Sequence, residues 1–292
     1  GYTKGYRNIT KTKTKGSRNH LFANYKIDFV ENLNKSSNLN INIEQVSNDT
    51  YLKIHDINTE LVSSEVTILE NTIDYEYINE DLFLGLNLSA FDDLSKTTNQ
   101  KYEYLLPYIA LDKNIFIDER YGLLDLSSKL QVRNYEVNKQ TEIFVNDVKW
   151  NSKKWINDFG LQNEFKGIIK STFYNAENTE QFKNNNDNAE ISSALGFLSK
   201  LDLFKSNRDQ NYFLSPKILI RHAPGHMRDI SSLQDRLNYS NLFELDKFSQ
   251  LDVLENGTSL SYGFDFKIND LEGDNLVGEE KFSFSAGQVV NS

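Results

Sequence analysis

Apolar and polar residues alternate with a period of two along most of this chain. The clearest case is Leu260, Tyr262, Phe264, Phe266 and Ile268, which alternate with Ser259, Ser261, Gly263, Asp265 and Lys267. That period is the signature of a β-strand with one apolar and one polar face. Leu124, Leu126, Leu130 and Val132 stand in the same way against Asp125, Ser127, Lys129, Gln131 and Arg133. Leu214, Ile218 and Ile220 oppose Ser215, Lys217 and Arg221 less strictly. Further alternating runs begin at His20, Leu39, Leu69, Leu82, Tyr102, Thr141, Gly160 and Ala189, and the last centres on Phe282 and Phe284. Together they predict about 13 strands in an up-and-down order.

Polar clusters punctuate the runs. Turns are expected at Lys35-Ser36-Ser37-Asn38, Asn79-Glu80-Asp81, Asn157-Asp158-Phe159-Gly160 and Asn207-Arg208-Asp209-Gln210, and polar loops at 96–100 and 175–188. Tyr102, Tyr104, Leu106 and Tyr108 read as one apolar face, but Pro107 cannot donate to a ladder, so a bulge or a strand edge is expected there. Between Gly225 and Asn256 lies a connection of roughly 30 residues, far longer than a hairpin loop in a compact soluble domain. A membrane β-barrel accommodates it, with short turns at one end and long loops at the other.

The expected fold is therefore all-β, an antiparallel up-and-down meander forming part of a large transmembrane β-barrel. On this reading Leu124, Leu126, Leu130, Leu260, Tyr262, Phe264 and Phe266 are candidate lipid-facing residues. Lys129, Arg133, Lys217, Arg221, Asp265 and Lys267 are candidate lumen-facing polar residues. Arg228, Asp235, Arg236, Phe243, Lys247 and Asp252 belong to the candidate external loop.

Composition sharpens this. Hydrophobic residues make up only 38%, yet there are 15 Tyr and 19 Phe, whereas disordered chains are poor in aromatics. No apolar window of about 18 residues exists, which leaves barrel strands as the only means of crossing a bilayer. A net charge of −10 argues against a nucleic-acid partner. The absence of cysteine excludes disulfides and thiolate metal sites. A first residue other than Met and a single methionine, Met227, suggest a piece of a longer protein.

A family resemblance appears in the stretch Arg221-His222-Ala223-Pro224-Gly225, Met227-Arg228, Leu242-Phe243, Lys247-Phe248, Asp252, Glu255, Gly257 and Ser259-Leu260-Ser261-Tyr262-Gly263. In order and spacing it resembles the barrel domain of the LptD (OstA) family of lipopolysaccharide (LPS) assembly proteins. Lys247 stands where the family pattern would have Arg, and Leu251 where it would have a small residue. Weaker similarities at Ser47–Leu52, Tyr104–Pro107 and Gly122–Leu126 follow in the same order. The resemblance implies one partial barrel domain over 1–292, with the periplasmic jellyroll before it and the final strands after it absent. It also implies insertion of LPS into the outer leaflet of a Gram-negative outer membrane without covalent chemistry. The implied partners are LPS, an LptE-like lipoprotein in the lumen, the periplasmic Lpt bridge reached through the jellyroll, and outer-membrane lipid.

Candidate chemistry is sparse. His222 and His226 have a zinc-like spacing but straddle Pro224-Gly225 without a third ligand, so no metal, cofactor or catalytic residue is assigned. Asp270–Asn275 resembles half of a calcium loop and reads as a turn. Trp150 and Trp155 are candidates for an interfacial aromatic girdle. The lumen cations could meet LPS phosphates, or be neutralised by acids such as Asp125 and Asp265. Two rivals stand: a porin or receptor channel, which a single closed barrel of fewer strands with an inward-folded constriction loop would favour, and a phospholipase-type barrel enzyme. The enzyme needs at least a Ser or Thr hydroxyl within hydrogen-bond reach of a histidine. A soluble adhesin would instead pack its apolar faces against each other.

Overall fold

A computed structural model describes residues 2–6, 15–32, 34–96, 100–179, 182, 188–225, 237–248, 250–270 and 279–291. The strands in chain order are β1 (Tyr2–Tyr6), β2 (Lys15–Asn32), β3 (Lys35–Val46), β4 (Ile68–Asn79) and β5 (Leu82–Asp93). There follow β6 (Tyr102–Asp118), β7 (Gly122–Tyr135), β8 (Lys139–Asn151), β9 (Trp155–Ile156) and β10 (Leu161–Glu177). The last are β11 (Asn188–Leu201), β12 (Leu203–Ser206), β13 (Gln210–Ala223), β14 (Gly257–Asp270) and β15 (Glu279–Asn291). One short helix, α1 (Tyr51–Ile54), interrupts the β3–β4 connection.

All the strands join one sheet. Its continuous path runs β1-β2-β3-β4-β5-β6-β7-β8-β10-β11-β13-β14-β15, while β9 pairs β10 and β12 pairs β13 beside it. Among the described residues β1 and β15 do not pair with each other, so the path is open. This is the expected all-β meander, part of a β-barrel, and its continuous path holds thirteen strands.

The period of two survives in the registers. Leu214↔Phe266, Ile218↔Tyr262 and Ile220↔Leu260 put the apolar residues of β13 and β14 on one face. Ser215↔Asp265, Leu219↔Ser261 and Arg221↔Ser259 occupy the other. Within β2–β5, Tyr25↔Ile41, Ile41↔Ile73 and Ile73↔Leu88 line up an apolar face in the same way.

By compactness the chain forms two units, each built from pieces of the meander. One comprises Gly1–Lys113, Ser128–Phe144 and Phe173–Asn188; the other comprises Asn114–Ser127, Val145–Thr172 and Ala189–Ser292. In the first, Leu52, Val62 and Leu69 form a small core beneath α1, with Phe22, Val46 and Leu94 packed on it. In the second, the core sits between the polar face of the sheet and the connection from β13 to β14, described below.

Two local expectations are corrected. Lys35–Asn38 do not turn: they open β3, where Ser37 pairs with both Phe29 and Tyr77. Asn34 makes the turn instead, its backbone N–H donating to Asn32 Oδ1 at 2.9 Å. Ladder pairing on both sides outweighs the turn preference of Ser and Asn. The second correction concerns β6. Asn87 faces Tyr108 and Ser89 faces Leu105, so one extra residue sits on β6 beside Pro107, a β-bulge as expected at that proline. The bulge splits the presumed face: Tyr104 lies opposite Ala90 on the apolar side, while Tyr108 lies opposite Asn87 on the polar side.

Other turns fall where the sequence put them. Gly160 N–H donates to the Asn157 carbonyl at 2.9 Å, and Asn207 N–H to that of Gln210 at 2.8 Å.

Candidate functional site

The polar faces of β10, β13 and β14 carry small and charged residues around a few apolar ones, Ile168, Leu219 and Ala223, and the described part of the 224–256 connection is packed on them. Leu242 and Phe243 cover Leu219, which has no exposed surface. Leu245 and Leu254 complete a cluster with Ile168, Ala194 and Ala223. Room for these side chains comes from glycines. A Cβ on Gly196 would stand 2.6 Å from Leu245 Cδ2, and one on Gly287 2.5 Å from Leu242 Cδ2.

Three buried cations fasten the connection. Lys170 Nζ on β10 lies 3.1 Å from both Asp147 Oδ2 on β8 and Asp246 Oδ2 in the connection, and donates to the Leu251 carbonyl at 2.7 Å. Arg221, 1% exposed, donates from Nε to the Leu245 carbonyl at 2.7 Å and from Nη2 to that of Glu255. Lys247, 2% exposed, donates to Ser259 Oγ at 2.9 Å and lies 3.9 Å from Glu255 Oε2. Asp147, Asp246 and Glu255 supply the balancing charges. A buried charge is tolerated only when paired and hydrogen-bonded, and backbone carbonyls do much of that here.

Burial still leaves its mark. It raises the Asp246 carboxyl above the usual aspartate value despite the neighbouring Lys170. It lowers the Lys247 ammonium, against the opposing pull of Glu255.

Of the expected lumen-facing set, Lys217 pairs with Asp265 at 2.9 Å and lies under the Tyr239 and Phe243 rings, 4.7 and 4.5 Å from their centroids. Arg133 pairs with Glu103 at 2.7 Å and Lys267 with Glu280 at 2.8 Å. Arg221 is buried as above, and Lys129 makes no ion pair among the described residues. The partners of most of these cations thus lie within the chain.

Of the expected lipid-facing set, Leu260 and Tyr262 are exposed, while Leu124, Leu126, Leu130, Phe264 and Phe266 are half-buried. The expected external-loop set divides. Phe243 and Lys247 are buried where the connection meets the sheet and Asp252 is half-buried, its carbonyl accepting from Thr172 Oγ1 at 3.3 Å. Arg228, Asp235 and Arg236 lie outside the described residues, as do His226 and most of the 270–275 turn. Sequence reasoning missed Lys170, Asp147 and Asp246. The signal for Lys170 was its place in the alternation, on the same face as Ile168 and Thr172.

Two further expectations have an outcome. His222 Nδ1 lies 2.8 Å from Thr258 Oγ1, its cross-strand neighbour, so a hydroxyl–histidine contact exists. Among the described residues no carboxylate orients that ring, and both side chains are exposed. Trp150 Nε1 donates to the Tyr121 carbonyl at 2.9 Å, and Trp155 packs on Phe165 at 5.4 Å between ring centroids.

A one-sheet antiparallel meander with an apolar and a polar face, whose longest connection is seated on the polar side, defines a piece of an outer-membrane β-barrel. Comparison with protein families agrees. The family described as LPS transport system D, LptD, matches residues 18–292, and the chain belongs to that family. No curated protein matches the chain. The family is one of outer-membrane transport and assembly proteins, which assigns the chain to LPS transport at the outer membrane.

Proposed function

We propose that the chain forms part of the wall of a translocon that inserts LPS into the outer leaflet of a Gram-negative outer membrane, without covalent chemistry. The observation that carries this reading is the family match over 18–292, joined to a sheet whose two faces differ as lipid and lumen would require. Leu124, Leu126, Leu130, Leu260, Tyr262, Phe264 and Phe266 then face lipid, and Lys129, Arg133, Lys217, Asp265 and Lys267 line the lumen. An LptE-like lipoprotein is the partner proposed for that lumen. LPS arrives from a periplasmic Lpt bridge through a jellyroll belonging to the longer protein, of which 1–292 is a single partial barrel domain.

One observation favours a second reading. A connection folded onto the polar face is also what the constriction loop of a porin-type channel does. Depletion of the full-length protein in its native cell separates the two. The LPS reading predicts that newly made LPS stops reaching the cell surface. A loss of small-solute uptake with surface LPS unchanged would reject it in favour of the channel.

A further inference from the structure

The described part of the connection from β13 to β14, 237–248 and 250–256, carries four carboxylates, Glu244, Asp246, Asp252 and Glu255, against one cation, Lys247. The wall beneath it has the opposite balance. Lys166, Lys170, Lys217 and Arg221 stand there on β10 and β13, against Asp147 and Asp265. Three acids of the connection meet that excess. Glu244 pairs with Lys166 at 3.2 Å, Asp246 with Lys170 at 3.1 Å, and Glu255 Oε2 lies 4.0 Å from Arg221 Nη1. Lys217 is closed off by the Tyr239 and Phe243 rings. The connection therefore occupies a cationic surface with carboxylates of its own.

The seat is built like a contact that parts. A permanent strap is well fixed by apolar packing, because buried ion pairs often stabilise no more than apolar side chains of similar volume. Surfaces that alternate between contact and water are more polar, since each half must be stable in water alone. Here charged side chains stand between the small apolar clusters, and their fit is incomplete. Asp147 Oδ1, Asp246 Oδ1 and Ser261 Oγ are buried without a hydrogen bond among the described residues, and Arg221 Nη1 and Glu255 Oε2 face each other beyond hydrogen-bond distance.

The backbone supplies hinges at both ends. Gly225 and Gly257 have φ of 108° and 100°, in the left-handed region that favours glycine. A Cβ on Gly225 would meet nothing within 4 Å, so the first hinge has open space around it. A few residues at the ends of a segment suffice to absorb a hinge rotation. At the edge of the seat a cavity of about 370 Å³ lies between Lys149 and Lys166 of the wall and Glu244, Leu245 and Asp246 of the connection. A solute entering it meets the Lys166–Glu244 pair first, and the Glu244 side chain is 57% exposed.

We propose that the connection is a reversible lid. Hinged at Gly225 and Gly257, it closes the cationic wall with its own carboxylates, and it lifts when a polyvalent anion replaces them on Lys166, Lys170, Lys217 and Arg221. This rests on the reading of that face as a lumen wall, and it makes access to the wall conditional on exchange between internal and external anions.

Thiol labelling of the full-length protein in phosphatidylcholine nanodiscs, free of divalent cations, tests this. Ser261 has no exposed surface and pairs across the ladder with Leu219, which the connection covers. In Ser261→Cys, modification of the introduced thiol by a hydrophilic maleimide reads the lifting of the lid. Pyrophosphate is expected to speed it at least fivefold over sodium chloride of equal ionic strength. Lys166→Gln/Lys217→Gln should abolish that acceleration, because the anion loses its seat. Should the thiol variant not assemble, hydrogen exchange over 237–256 in the unaltered protein carries the same comparison. Equal rates in pyrophosphate and chloride, or an acceleration that survives Lys166→Gln/Lys217→Gln, overturn the lid. Surface LPS is not read in this assay, so its result stands apart from the depletion experiment that tests transport.

Discussion

Lys170 Nζ on β10 lies 3.1 Å from Asp246 Oδ2, which belongs to the connection between β13 and β14 and is separated from it in sequence by the whole of β11, β12 and β13. The same ammonium holds Asp147 at 3.1 Å, so one buried cation separates two carboxylates. Lys170→Met removes it and leaves two like charges together in a low-dielectric site. Removing one partner of such a buried pair costs about 3–5 kcal/mol. The connection should detach, measured as proteolytic cleavage within 237–256 of the folded protein at concentrations that spare the wild type.

That effect depends on pH in a definite direction. The Asp246 carboxyl is raised by burial, so its favourable contribution is complete below the unfolded aspartate value and is lost as pH rises through its folded value. At neutral pH the charge is a cost offset by Lys170. In Lys170→Met, acidification through the raised Asp246 value should therefore restore part of the protection, while the wild type changes less over the same interval.

Arg221 holds the connection by geometry as well as charge, with Nε on the Leu245 carbonyl and Nη2 on that of Glu255. A lysine cannot reproduce that fork. Both Arg221→Lys and Arg221→Ala should expose the connection to protease, and Ala should cost about 3–5 kcal/mol because it leaves buried groups unpaired. Protection retained in full by the Lys variant would refute the role of the fork.

Gly196 is needed for its lack of a side chain. Gly196→Val would drive Leu245 off the polar face, at a cost of about 1–3 kcal/mol as for other overpacked cores. Equilibrium unfolding should show this loss, and shortening the opposing side chain in Gly196→Val/Leu245→Ala should recover part of it.

The strands, their approximate number and their two faces were legible because a period of two is written into each segment, as in 259–268. The bulge at Pro107 was legible too, since a missing N–H must be placed somewhere, but its effect on Tyr108 was not, because a one-residue insertion reverses every side chain beyond it. The turn expected at Lys35–Asn38 failed because Ser and Asn suit a polar strand face as well as a turn. The seat of the long connection was not legible. It rests on Gly196, Gly287 and Lys170, and the hydrogen bond from Lys170 to the Leu251 carbonyl spans 81 positions. No local pattern carries such a relation.

The apolar face makes an energetic prediction as well. Phe264→Arg should weaken folding into lipid vesicles by about 2–4 kcal/mol if the residue sits near the bilayer midplane. Refolding free energies in phosphatidylcholine vesicles measure it.

The most direct test of the membrane reading is photo-cross-linking in the native outer membrane. A photoreactive residue placed singly at Leu124, Leu126, Leu260 or Phe264 should label lipid, while one at Lys129, Lys217 or Asp265 should not label bulk phospholipid. Equal lipid labelling from both sets, or labelling from the polar set alone, would contradict the assignment of this sheet to a barrel wall.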